Sequence, residues 1–169
     1  MIFKSAAARQ ERTDAQKEML SAREQLERKL ERVEKSGPSA AARPLMVLIV
    51  DDEPNVGRVF SRVLERTFGA IVDAVDSSDA ALARIKVISY DLVLVDLKLG
   101  PQDSRDGTDL IREIRREAAN KTGPTVPAIL ISGIPEEAAK RLPRLGASFL
   151  PKPVDSATLV DSVRKLTGR

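Results

Sequence analysis

The chain of 169 residues contains no cysteine, no histidine and no tryptophan, one tyrosine and four phenylalanines. Without cysteine, disulfides and thiolate metal sites are excluded and a reducing compartment is permitted. Without histidine, the commonest general base and the commonest zinc ligand are missing, and the chain carries no phosphohistidine of its own. Long apolar runs are also absent. No window approaches the length of a membrane span, and the opening MIFKSAAARQERTD lacks the apolar core of a signal peptide. We therefore expect a cytoplasmic protein with no membrane insertion. Neither sign of charge dominates: 28 Lys/Arg stand against 25 Asp/Glu, for a net charge of +3. That excess lies in residues 1–45, where ten basic and seven acidic residues are interleaved. Interleaved charge points to a solvated helix surface and away from a nucleic-acid patch.

What is present falls into two regions, together long enough for one globular domain with an appendage. From about Ala6 to Lys35 there is no glycine or proline, and strong helix formers dominate. Met19, Leu26 and Val33 recur every seven residues with Leu30 between them, but Gln16 and Arg23 interrupt the seam. The pattern fits a dimerising or docking helix, a short coiled coil, or a solvated single helix. Ser36-Gly37-Pro38 suits a helix end, which places an N-terminal helix in 1–35 and a linker in 36–45.

From Met46 onward, short apolar runs alternate with amphipathic stretches. The runs are VLIV (47–50), AIVDAV (70–75), LVLVD (92–96), AILIS (128–132) and SFL (148–150). The first amphipathic stretch begins at Pro54, stops at Gly69 and puts Val56, Val59, Phe60, Val63 and Leu64 on one face. Ala81, Leu82, Ile85 and Ile88 form a second face. Leu110, Ile111 and Ile114 form a third, and Leu159, Val160, Val163 and Leu166 a last one. Strands without a polar side, alternating with helices, indicate an α/β domain over 46–169 built on a parallel sheet covered on both faces.

The strand ends carry the chemistry. The first run leads into Asp51-Asp52-Glu53, the third into Asp96, the fourth into Ser132 and the fifth into Pro151-Lys152-Pro153. In a parallel sheet these ends share one edge, where ligands of open α/β sheets bind. Clustered carboxylates repel, by about 4 kcal/mol for two unit charges about 4 Å apart at an effective dielectric near 20. A hard cation such as Mg²⁺ relieves this and leaves positions for a phosphate. Lys152 and the Ser132 hydroxyl suit phosphate oxygens, and a carboxylate is a competent nucleophile toward phosphorus. The set is suited to phosphorylation of Asp96.

With VLIVDDEP (47–54), DLVLVDLKLG (91–100), ILISG (129–133) and FLPKP (149–153) in this order and spacing, residues 46–169 resemble the receiver domain of two-component response regulators. The resemblance implies a flavodoxin-like, doubly wound, five-stranded sheet of order 2-1-3-4-5. It implies Asp96 as phosphoacceptor, Mg²⁺ held by Asp51, Asp52, Asp96 and the Lys98 backbone carbonyl, and Lys152 as the phosphate-binding lysine. Ser132 would be the switch hydroxyl and Phe149 the switch aromatic. The donor would be a sensor histidine kinase or a phosphotransfer protein. The chain would be a phosphoacceptor that assists only its own phosphorylation and dephosphorylation.

Two departures from that pattern stand out. Pro143 falls where the receiver's fourth helix would end, so that helix is expected to be short or broken. After Asp96 the chain needs eleven residues to reach Gly107, which adds Asp103 and Asp106 as solvated turn residues or as influences on the metal. Glu53 reads as a cap on the helix begun by Pro54. With nothing after the last helix we expect no DNA-binding output domain, and output through a downstream protein, the N-terminal helix or a homodimer formed by it. The alternatives are a phosphorylation-independent receiver-like scaffold and an aspartyl-nucleophile hydrolase of the haloacid dehalogenase type. The latter wants an acid two residues after the nucleophile, where this chain has Lys98.

Overall fold

The computed structural model describes residues 16–17, 20–31, 43–119 and 125–169. Helix α1 (20–31) precedes the first strand. Five strands then alternate with five helices. They are β1 (Met46–Val50), α2 (Pro54–Phe68), β2 (Ile71–Val75), α3 (Ser78–Val87), β3 (Leu92–Asp96), α4 (Gly107–Ala119), β4 (Ala128–Ser132), α5 (Pro135–Leu145), β5 (Ser148–Pro151) and α6 (Ser156–Thr167). The strands are all parallel in the order β2-β1-β3-β4-β5, the flavodoxin-like arrangement. Among the described residues no helix is long and apolar enough to cross a membrane.

The apolar strands serve two cores at once, because alternate side chains leave a strand on opposite faces. Leu48, Val50, Val93, Val95 and Leu130 meet Ala81, Leu82, Ile85, Leu110, Ile111 and Ile114 of α3 and α4. Val47, Ile49, Leu92, Leu94, Ile129 and Ile131 meet Phe60, Leu64, Leu159 and Val163 of α2 and α6. Two expected inward positions differ. Val59 is exposed, because it stands one residue, about 100° of helix, from Phe60 and off the buried stripe of Gly57, Phe60 and Leu64. Ile88 is buried but lies just past the end of α3.

Helix α1 packs on its own chain. Ala22 is buried, and Leu26 and Leu30 lie against the core on the α3–α4 side. Lys29 donates to the Asp73 carboxylate at 2.5 Å and to the Val72 carbonyl at 2.5 Å, both on edge strand β2. Tyr90 donates to the other Asp73 oxygen at 2.6 Å. Leu26 and Leu30, two members of the heptad series, are thus spent on this packing. Met19, Val33, Ser36-Gly37-Pro38 and the linker to position 42 lie outside the described residues.

Helix α5 is unbroken, contrary to the expectation from Pro143. That proline stands in the last turn, where a missing N–H and ring clash affect few residues. The helix end is closed from outside: Arg115 of α4 donates to the carbonyls of Leu145 and, at 3.0 Å, Gly146. These are acceptors that a helix terminus otherwise leaves open.

Candidate functional site

The C-terminal edge of the sheet gathers the residues singled out from the sequence. Asp51 follows β1, Asp96 ends β3, Ser132 ends β4 and Lys152 follows β5. Asp51, Asp96 and Ser132 are buried, whereas Asp52 is exposed. The Lys152 ammonium lies 2.7 Å from Asp96 Oδ2, 3.1 Å from Asp51 Oδ2 and 3.3 Å from Glu53 Oε1. A cleft of about 370 Å³ opens above them, lined by Asp52, Glu53, Asp96, Lys98, Ser132 and Lys152 among others.

Asp51, Asp52 and Asp96 each present a carboxylate oxygen within 4.8 Å of the others. Backbone N–H groups steady two of them: Glu53 donates to Asp51 Oδ1 at 2.9 Å, and Lys98 to Asp96 Oδ1 at 3.3 Å. Asp51 Oδ2 is buried and, although near Lys152, receives no directed hydrogen bond. Burial pushes the Asp51 carboxyl above its ordinary range, against the Glu53 N–H and the Lys152 charge, which act to lower it. Burial alone would lower Lys152, but its hydrogen bond to Asp96 and the charges of Asp96 and then Asp51 hold its ammonium well above the ordinary lysine range. An all-oxygen acidic set with an underused buried oxygen fits a hard divalent cation such as Mg²⁺. With an ammonium opposite, the arrangement can also receive a phosphate group.

The two expected switch positions share one side of the sheet. Leu130 and its register partner Phe149 pack on the α3–α4 side, and Ser132 is two residues beyond Leu130 on the same strand. Ser132 Oγ accepts from the Ile134 N–H at 2.9 Å, so the hydroxyl is held by its own loop. Phe149 is half-buried.

Three sequence readings need correction. Glu53 is the N-cap residue of α2 by backbone alone; its side chain makes no capping bond and reaches toward Lys152 instead. The nearby ammonium outcompetes the helix terminus. Asp103 accepts from Ser78 N–H at 2.7 Å, Ser78 Oγ at 2.5 Å and Arg105 N–H at 3.0 Å, so it is a structural acceptor and not a solvated turn residue. Asp106 is the N-cap of α4, accepting from the Thr108 N–H at 2.9 Å and the Asp109 N–H at 3.1 Å. The Asp-Gly-Thr run before an apolar helix carries that signal, as Asp is a preferred N-cap. No local signal links Asp103 to Ser78, which lies 25 residues earlier. Sequence reasoning also missed Arg105, which reaches Glu113, Asp79 and Ser78.

Comparison with known proteins agrees with this fold. Residues 47–164 match the model of the response regulator receiver domain, and the chain belongs to that family. It is 31% identical over 132 residues to the sensor protein GacS of Pseudomonas syringae pv. syringae, covering 78% of this chain and 14% of that one. It is 35% identical over 117 residues to the nitrogen assimilation regulatory protein NtrX of Azorhizobium caulinodans, covering 68% and 24%. The chain thus spans a quarter or less of these two relatives. Among solved structures, the receiver domain of NtrX from Brucella abortus superposes with a TM-score of 0.62 at 29% identity, covering 72% of this chain and 98% of that one.

Proposed function

We propose that Asp96 accepts a phosphoryl group from a phosphohistidine on a separate histidine kinase or phosphotransfer protein, and that the aspartyl phosphate switches protein contacts. The observation that carries this is the buried Asp96 carboxylate at a strand end, facing Lys152 at 2.7 Å with Asp51 and Asp52 beside it. An Asp96 oxygen attacks phosphorus as the bond to the imidazole nitrogen breaks. The electron pair leaves with that nitrogen, which takes a proton from solvent. Mg²⁺, held by Asp51, Asp52, Asp96 and the Lys98 carbonyl, would neutralise phosphoryl charge. Lys152 exchanges its contact with Asp96 for one with a phosphoryl oxygen. Being held charged, it needs no proton transfer to do so. The Asp96 carboxylate is fixed by the Lys98 N–H, which limits the entropy cost of attack.

The new charge then draws the Ser132 hydroxyl from its bond with Ile134, and Phe149 fills the space behind it. This is a packing change driven by a local charge event. The chain works on no other substrate; the chemistry it assists is the gain and loss of its own phosphate, in the cytoplasm. Incubation with acetyl phosphate and Mg²⁺ followed by intact-mass measurement is the test. One phosphoryl group should add to the wild type and none to Asp96→Ala. If the wild type gains nothing while its partner contacts persist, the domain is a phosphorylation-independent scaffold.

A further inference from the structure

The loop that carries the chain from β3 to α4 touches the site at both ends. Near its start, Gly100 has φ +80, and a Cβ there would lie 2.9 Å from Asp52 Oδ2. At its end, a Cβ on Gly107 would lie 2.2 Å from the Asp96 carbonyl oxygen, and the Gly107 N–H donates to the Leu97 carbonyl at 2.9 Å. The loop backbone therefore forms a wall behind one candidate metal ligand and a support under another. Between these glycines the loop is fastened elsewhere. Asp103 accepts both donors of Ser78 at the first residue of α3. Arg105 donates to Asp79 at 2.8 Å and Ser78 Oγ at 3.2 Å on α3, and to Glu113 at 2.9 Å on α4. Both Asp103 oxygens are thus committed to donors, and neither is offered to a cation.

Resting on the phosphoacceptor reading above, we infer that Asp103 and Arg105 are positioning residues: they clamp the loop 99–107 to the N-terminus of α3 and so hold Asp52 and Asp96 in metal-binding register. The six residues between Gly100 and Gly107 have little slack once the third and fifth are fixed. Releasing the clamp lets Gly100 drift from Asp52 and Gly107 from Asp96, which disperses the carboxylates without altering any of them. Supports of this kind around metal ligands are commonly worth tenfold or more in affinity. By linkage, cation binding must in turn favour the clamped loop, so occupancy of the site reports to α3.

The test is calorimetric titration of the full chain with Mg²⁺ alone. Removing Arg105 takes a positive charge from the neighbourhood, which by electrostatics alone tightens Mg²⁺ binding. Loss of the clamp weakens it. We expect Arg105→Ala to weaken Mg²⁺ binding roughly tenfold. Ser78→Ala, which alters no charge and removes a partner of both clamp residues, should shift affinity the same way by a smaller factor. Arg105→Lys should recover part of the loss. The maximal rate of acetyl phosphate labelling at saturating Mg²⁺ should fall by a smaller factor than the affinity does, because cation binding favours the register that the clamp otherwise holds. Amide exchange at Ser78 should slow when Mg²⁺ is added to the wild type and not to Arg105→Ala. Tighter or unchanged Mg²⁺ binding in Arg105→Ala, or an unmoved Ser78→Ala, overturns the inference. If Arg105→Ala does not fold, the Ser78→Ala result decides alone. A wild type that neither binds Mg²⁺ nor takes phosphate overturns the phosphoacceptor reading itself.

Discussion

Asp73 and Asp96 are both buried and each faces a lysine, but their surroundings differ. Asp73 on β2 gives one oxygen to Lys29 of α1 and the other to Tyr90. Its charge is balanced by one ammonium, and burial together with Asp73 pushes the Tyr90 phenol well above its ordinary range, so it remains a donor. Asp96 on β3 also faces a lysine, but Lys152 is shared with Asp51 and Glu53, and Asp52 stands beside them. One pair is saturated; the other has surplus negative charge at the mouth of a cleft. The same two residue types therefore make a latch in one place and a receptive site in the other. Surplus charge and spare oxygen, not burial of an acid, separate function from structure here.

Changes at Lys152 should have the largest effect. Lys152→Ala leaves the acidic cluster without that ammonium, and we expect acetyl phosphate labelling to slow by about 100-fold or more, the scale on which a positioned charge stabilises transferred phosphate. Mg²⁺ affinity should rise in the same variant, because an ammonium competing for the carboxylates has gone. Labelling kinetics and Mg²⁺ titration on one sample measure both. A variant that binds Mg²⁺ more weakly would show that Lys152 organises the acids more than it repels the cation, and the contrast with Asp73 would narrow.

Substitution at the latch should reverse the pattern. Lys29→Met removes the charged partner of Asp73 and should cost about 1–3 kcal/mol of stability. The cost has a ceiling, since undocking α1 would return water to Asp73 and confine the damage to that helix. Urea unfolding and amide exchange over 20–31 distinguish global from local loss. Acetyl phosphate labelling should be unchanged. The pair substitution Lys29→Met with Asp73→Leu should recover most of the stability, as buried ion pairs are often replaceable by apolar residues of similar size. If the pair variant stays as unstable as Lys29→Met alone, the Tyr90 bond to Asp73 matters more than the ion pair.

The two regions also differ in how far the sequence reveals them. Asp51, Asp52, Asp96, Ser132 and Lys152 each follow an apolar strand run, and a parallel sheet brings all such ends together whatever the loops do. Strand alternation likewise shows which residues face which helices. The latch has no such rule. Asp73 is visible as an acid inside the apolar run AIVDAV, but the choice of Lys29 as its partner depends on how α1 folds back, 44 residues earlier. Asp103 fails for the same reason, since its partner Ser78 belongs to another element. Contacts within an element, such as Asp106 capping α4, follow from local chemistry. Contacts that join elements depend on packing geometry that no single stretch encodes. Pro143 shows the converse limit. Its local signal is strong, yet its place in the last turn and the reach of Arg115 leave α5 intact.

The smallest effect concerns Asp103, a saturated carboxylate like Asp73 but partly exposed, and pH is the means of probing it. Burial acts to raise its pKa; the hydrogen bonds from Ser78, together with the Arg105 N–H and charge, outweigh that and hold it below the ordinary 3.8. The unfolded chain therefore takes up this proton at a higher pH than the folded chain does. The contribution to stability is complete above 3.8 and is lost as pH falls through the lowered folded value. We expect the pH dependence of unfolding below about pH 4 to be shallower in Asp103→Asn than in the wild type, while the two curves run parallel from pH 5 to 7. Because the group is partly solvated, the difference should be about 1 kcal/mol or less. Urea unfolding at closely spaced pH values measures it. Identical acid limbs would mean that Ser78 and Arg105 do not hold the ionised form of Asp103. The clamp would then rest on the Arg105 contacts with Asp79 and Glu113, and Asp103 would lose its place beside Asp73 as a saturated acid.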